Sequence, residues 1–265
     1  MAQKNGIRTI SHALPCSGSE LRILGISDVH IGDLHCDMSI FKDLIKCIQD
    51  DPDCYTVLGG DLCNTALAGG RSDVYHETMS PAEQVKLVVK MLQPIKDKIL
   101  AIVPGNHENR ISRSVGFDIS EDIAARLGLD ELYRPTSALV FLTVGSGQGA
   151  AHGRPPTYSL YLNHGSGGGF TLGAKANGRK KQADVVDADI IMRGHTHTGG
   201  VDKISHFVCC NQNRTVDKRT QLLVNMASCL QYPESYADAM NLPPSDNDYP
   251  VIYLSTTRRH ARAML

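Results

Sequence analysis

Tryptophan is absent from this 265-residue chain and phenylalanine occurs only 5 times, so few flat faces are available for stacking single-stranded bases. An excess of charge of either sign is also lacking: 27 Lys and Arg stand against 28 Asp and Glu, a formal net charge of −1. That balance argues against a protein that coats nucleic acid through charge alone. No run approaches the roughly 18 apolar residues of a membrane span, so no contact with a bilayer interior is expected. The 8 cysteines include no C-x-x-C pair and no regular spacing, as in a reduced compartment rather than a disulfide-stapled secreted domain. Residues 1–20 lack the apolar stretch of a signal peptide. Together these absences point to the cytoplasm.

What is present is a globular composition, 42% hydrophobic. A chain of this length can bury about 70–75% of its unfolded surface, and so needs neither disulfides nor a metal merely to fold. Residues 1–20 follow no period and read as an N-terminal arm; residues 21–265 read as one domain. LRILGIS (21–27), CYTVLGG (54–60) and KILAIVPG (98–105) are apolar runs of strand character. Between them, Ile40, Phe41, Leu44, Ile45 and Ile48 fall at helical spacing behind Asp37 or Ser39 as cap. A second helix starts at Ser80-Pro81-Ala82-Glu83. A third, near 119–127, should stop at Gly128. Beyond it the chain is richer in strands, at 138–144, 158–163, 189–194, 205–210, 222–227 and 251–256, with one helix over 172–183. Two packed sheets with helices outside satisfy both halves. The loops at 62–78 and 230–249 are long, which in a compact domain favours function.

Five polar clusters follow strand-like runs: Asp28-Val29-His30, Gly60-Asp61-Leu62-Cys63-Asn64, Gly105-Asn106-His107-Glu108, Asn163-His164-Gly165 and Gly194-His195-Thr196-His197. Residues at the carboxyl ends of strands line the crevice where open α/β sheets bind ligands. In extended chain, side chains at i and i+2 point the same way, so Asp28 with His30, and His195 with His197, should each face one pocket. Carboxylate, imidazole and amide donors without thiolate suit Mn, Fe, Zn or Ni. Two adjacent cations would need one shared anion, and Asp61 is the candidate.

In order and spacing these motifs resemble the calcineurin-like metallophosphoesterase superfamily, with its DxH, GDxx(N/D), GNH(D/E), lone H and GHxH. The runs NHGSGGG and ADIIMRGHTH are similar to those of small phage or prophage members. The resemblance implies an α/β fold of two packed mixed β-sheets flanked by helices, a four-layer αββα sandwich. It also implies two divalent ions, manganese foremost and iron, zinc or nickel otherwise. One ion would be held by Asp28, His30, Asp61 and His197, the other by Asp61, Asn106, His164 and His195. His107 would face the substrate as proton donor, with Asn64 orienting the nearby loop and Glu108 orienting the His107 imidazole. The implied activity is hydrolysis of a phosphate mono- or diester by a hydroxide held between the ions. A repair-type DNA nuclease and a non-catalytic scaffold on the same fold are the alternatives.

Other residues carry less. Arg71 and Tyr75, in the loop after the second motif, and Arg110, three residues past His107, are candidate substrate contacts; the competing reading of Arg110 is a surface salt bridge. Lys175, Arg179, Lys180 and Lys181 form either an anionic-substrate funnel beside His164 or a solvated helix face. Arg258, Arg259 and Arg262 read as a soluble tail, and Cys209-Cys210 as core packing.

Overall fold

The structure is a computed structural model that describes residues 8–67, 74–150, 153–167 and 171–265. The chain opens with strands β1 (Thr9–Leu14) and β2 (Glu20–Ile26), then helix α1 (Met38–Asp50). The Asp37 carboxylate starts α1 by accepting the Ser39 N–H at 2.9 Å. The helix buries the expected face of Phe41, Leu44, Ile45 and Ile48. Strand β3 (Cys54–Leu58) leads to α2 (Pro81–Leu92), where the Glu83 carboxylate accepts from the Ser80 N–H at 2.9 Å and from its hydroxyl at 2.7 Å. Next come β4 (Ile99–Ile102), α3 (Asn106–Val115) and α4 (Ile119–Leu127). Gly128, left-handed at φ 72°, ends α4. Then follow β5 (Ser137–Val144), β6 (Thr157–Asn163), α5 (Leu172–Ala183) and β7 (Ile190–Arg193). The long hairpin β8 (Gly200–Cys210) and β9 (Thr215–Asn225) precedes a short α6 (Tyr236–Ala239), β10 (Val251–Ser255) and β11 (Ala261–Met264).

The strands form two mixed sheets, ordered β1-β5-β6-β7-β9-β8 and β11-β10-β2-β3-β4. Apolar side chains from both, among them Leu21, Ile23, Val57, Val140, Leu160, Met192 and Val224, make the buried layer between them. The outer face of the five-stranded sheet packs Ile26, Leu58 and Ile102 against α1, α2 and α4. The outer face of the other sheet packs Tyr161, Ile191 and Leu223 with Ala183 of α5. This is the expected α/β sandwich of two packed mixed sheets flanked by helices. Parallel pairing of β2, β3 and β4, and of β6, β7 and β9, sets their carboxyl ends side by side along one rim.

Three expectations require correction. Residues 9–14, read as part of an arm, pair in parallel with β5 as the edge strand of the six-stranded sheet. They bury only Ile10 and Leu14, too weak an alternation to signal a strand. The arginines read as a tail flank or lie in β11: Arg262 pairs with Glu20 at 2.7 Å and covers the Tyr253 ring, and Arg259 pairs with Asp189 at 2.6 Å. Cys209 is exposed and Cys210 half-buried on the projecting part of the β8–β9 hairpin, outside the core.

The Asp37 cap yields a first prediction. Hydrogen bonds from Ser39 and Gln231 hold its carboxyl down at about 2. Asp37→Ala should cost about 1 kcal/mol near neutral pH by urea denaturation. Because the folded-state pKa lies below the unfolded value of about 3.9, that difference should persist above about pH 4 and vanish as the pH falls through 2. A difference that grows in acid would contradict the assignment.

Candidate metal centre

Each polar cluster sits where a parallel strand ends. Asp28 and His30 follow β2, Asp61 follows β3, Asn106 opens α3 after β4, His164 follows β6, and His195 and His197 follow β7. The backbone here is not the extended chain expected. Asp28, His30, Asp61, His195 and His197 all have positive φ, between 52° and 71°. A left-handed non-glycine residue costs about 1–2 kcal/mol, so such a concentration persists only where the surroundings hold it. They do so through hydrogen bonds: Asp28 N–H to the Gly60 carbonyl and His30 N–H to the Asp61 carbonyl, both 3.0 Å, and His195 N–H to the Asp28 carboxylate at 3.0 Å. The motif glycines permit the close approach. A Cβ on Gly105 would lie 2.0 Å from Asp61 Oδ1, and one on Gly194 2.3 Å from Asp28 Oδ2.

These turns converge the donors into sets. Asp28, His30 and His197 form one, and Asp61, His164 and His195 another; Asp61 also groups with His30 and His107. Within the first set, His197 Nε2 is 3.2 Å from His30 Nε2 and 3.3 Å from Asp28 Oδ1. Within the second, His164 Nε2 is 3.2 Å from Asp61 Oδ2 and 3.1 Å from Asn106 Oδ1. Asn106 Oδ1 is also 2.7 Å from His195 Nδ1. All seven expected ligands are therefore brought together. Asp61 lies between the sets, 4.0 Å from His30 Nε2.

The donor chemistry fits cations. His164 Nδ1 is 2.7 Å from the Gly59 carbonyl, which can only accept, so the proton on that side is committed and Nε2 points at two further acceptor oxygens. Buried His30 Nδ1 has no partner among the described residues. Ligand atoms about 2.0–2.2 Å from one ion stand about 3.0–3.5 Å from their neighbours on its coordination shell, the spacing seen here.

Burial and charge act against each other at every group. Burial would raise Asp28, but the imidazoles of His164 and His197 hold it down at about 2. Asp61 is likewise held well below the carboxylate range by His164, His107 and His30, despite its burial. Burial would lower His164, yet Asp61 and Asp28 raise it to about 10. Burial, reinforced by His107 and His197, pushes His30 well down, and burial with His164 takes His195 to about 4.

His107 lies beside this cluster, its ring 4.5 Å from that of His30 and its Nε2 4.0 Å from Asp61 Oδ2. Its Nδ1 is 2.6 Å from the Asn64 carbonyl, so a backbone group fixes the ring. The expectation that Glu108 orients His107 is thus corrected. Glu108 is buried and accepts four backbone N–H groups: Gly105 and Asp61 at 2.9 Å, Leu62 at 2.7 Å and Cys63 at 3.1 Å. Burial and the Asp61 charge raise its carboxyl to about 7. The Asn64 amide does hold its loop, donating to Glu77 at 3.0 Å.

Arg110 is half-buried on α3, where burial lowers its pKa and the Asp61 charge partly offsets that. Tyr75 is 95% exposed. Arg71 lies outside the described residues. Residues the sequence reading missed include Ser228 and Cys229, which donate to the Asp28 carbonyl from hydroxyl and backbone N–H at 3.0 and 3.1 Å. Asn225 holds the His195–His197 loop, donating to Thr196 Oγ1 at 2.8 Å and the Thr198 carbonyl at 2.6 Å. A polar residue ending the apolar run LLVN was the available signal.

Two stacked sheets whose carboxyl rim gathers His and Asp clusters define an α/β protein of metal-binding type. The chain belongs to the calcineurin-like phosphoesterase family, which it matches over residues 21–199. No curated protein matches it. Among solved structures it is similar to a conserved uncharacterized protein, a predicted phosphoesterase, from Streptococcus pneumoniae, at 14% identity over 94% of this chain and 99% of that one, with a TM-score of 0.37. It is also similar to vacuolar protein sorting 29 from Cryptosporidium parvum, at 15% identity over 93% and 97% of the two chains, TM-score 0.45. Zinc-complexed Vps29 from Entamoeba histolytica gives 12% identity over 92% and 97%, TM-score 0.38. At such identities and scores the likeness bears on neither activity nor partners. No helix among the described residues is long and apolar enough to cross a membrane.

Proposed function

We propose that this chain hydrolyses phosphate esters, mono- or diesters, with two divalent ions, manganese foremost, in the cytoplasm. The observation that supports it most is the position of Asp61 between two His-containing donor sets. One ion would be held by Asp28, His30, Asp61 and His197, and the other by Asp61, Asn106, His164 and His195. When bound, such a pair supplies positive charge to the phosphate and an acidified water as nucleophile. The chain's own residues do the rest. Ser228, Cys229 and Asn225 keep the ligand-bearing loops in place, and Glu108 fixes the Asp61 turn. His107, whose Nδ1–H donates to the Asn64 carbonyl, would protonate the departing oxygen from Nε2 in its imidazolium form, which burial disfavours and the Asp61 charge beside it favours.

Turnover of bis(p-nitrophenyl) phosphate should disappear on chelation and return when Mn, Ni, Zn or Mg is supplied. Protein that turns over neither this diester nor p-nitrophenyl phosphate with any of these ions would end the proposal. His107→Ala should retain its metals and lose about 10²-fold or more on alkyl esters, whose leaving groups need the proton, and less on p-nitrophenyl esters. Equal losses on both would remove the proton-donor role.

A further inference from the structure

Arg193, the last residue of β7, is 2% exposed, with its side chain on the α5 side of the six-stranded sheet. Among the described residues its side chain makes one long hydrogen bond, Nη2 to the Ser166 carbonyl at 3.3 Å, and Nε has no partner there. No carboxylate among them forms an ion pair with it. Burial and the neighbouring Arg179 charge pull its pKa down, and the Asp28 charge offsets part of that. A buried guanidinium with no carboxylate of the described residues in direct contact is costly, and native chains seldom keep one idle.

The surroundings are shaped around this group. A Cβ on Gly165, the residue after His164, would come 2.7 Å from Nη2, and one on Gly178, inside α5, 2.4 Å from Nη1. A glycine in a helix interior is unfavourable, and here it makes room for a cation. The guanidinium borders a cavity of about 640 Å³, lined also by Ser166, Lys175, Lys181 and Thr196. Among the nearby charges, Arg179 is committed to Asp202, and Lys180 lies 3.6 Å from Asp184, the acidic residue in the lining. Lys175 donates to the Thr198 hydroxyl. The cavity adjoins the candidate centre, for Thr196 lies between His195 and His197 and Gly165 follows His164.

We propose that Arg193 and Lys175 form a subsite for a second phosphate group, so that the substrate is a small bisphosphorylated molecule. One phosphate lies at the Asp61 centre and the other against the Arg193 fork. This rests on the phosphoesterase reading above. A planar guanidinium matches phosphate oxygens two at a time. The cavity is of small-molecule size, and the balanced net charge does not favour a polynucleotide.

The test is binding, read apart from turnover. A homologous series of α,ω-alkanediol bisphosphates and the matching monophosphates is titrated calorimetrically into manganese-loaded protein. Wild type should bind at least one bisphosphate about tenfold more tightly than its monophosphate. Arg193→Gln should abolish that preference, Arg193→Lys should restore part of it, and Lys175→Gln, on the more open α5, should reduce it. No preference in wild type overturns the subsite, as does an undiminished preference in Lys175→Gln, which also decides the matter if Arg193→Gln does not fold. Preference without turnover of any aryl phosphate would retain the subsite and remove the hydrolase reading. Turnover without preference would do the reverse.

Discussion

Asp61→Ala is expected to lose both metal equivalents and about 10³-fold or more of diester turnover. Removing a group that merely supports a ligand typically costs about 10–100-fold, and Asp61 would be a ligand common to both ions, so its loss should exceed that range. The carboxylate also accepts the His107 N–H at 2.8 Å through Oδ1. Asp61→Asn separates the two roles, because the amide oxygen can keep that bond while the charge is gone. Metal content by atomic spectroscopy should fall in both variants, whereas thermal stability should fall further in Asp61→Ala. An alanine variant that retains two tightly bound ions per chain would refute the shared-carboxylate assignment.

Glu108→Ala should cost the most stability of any change near the centre. Four backbone donors converge on this buried carboxylate, three from residues 61–63 and one from Gly105. Each buried donor left without an acceptor costs about 1–3 kcal/mol; allowing for entry of water, the sum should still reach about 4 kcal/mol. Glu108→Gln keeps one acceptor oxygen but turns an NH2 toward N–H groups, and should lose roughly half as much. Urea denaturation measures both. A loss below about 1 kcal/mol in the alanine variant would mean that another group can take over those donors.

That the seven side chains proposed as ligands cluster was legible because each motif directly follows an apolar run. The role of Glu108 was not. Its neighbour in sequence is His107, but consecutive residues on a helix do not face each other. At the third position of α3, Glu108 instead reaches back to Gly105 and across to the Asp61 turn. Helix α3 was missed as well, since NHENRISRSV buries only Glu108 and Ile111 and shows no apolar stripe. The same holds for β1 and β11, edge strands with little to bury. The extended geometry assumed for Asp28-x-His30 failed for another reason. Left-handed backbone at aspartate and histidine leaves no compositional trace, and it is imposed by distant partners such as the Gly60 carbonyl. The funnel reading of 175–181 divides: Arg179 is tied to Asp202 and Lys180 lies near Asp184, while Lys175 shares a cavity with a cation that the sequence could not mark as buried.

The placement of β10 has a consequence for biosynthesis. This strand, residues 251–255, lies directly against β2, which delivers Asp28, and it pairs with nothing made earlier except β2. Ser228 and Cys229, which grip the Asp28 carbonyl, are also late in the chain. A nascent polypeptide on the ribosome that has already displayed Asp28, His30 and Asp61 can pair β2 with β3 at once, but must wait for nearly two hundred further residues before β2 gains its second neighbour, β10. Until then Asp28 lacks the late-made partners that hold its turn, so capture of the proposed ions is expected in the last moments of translation or after it.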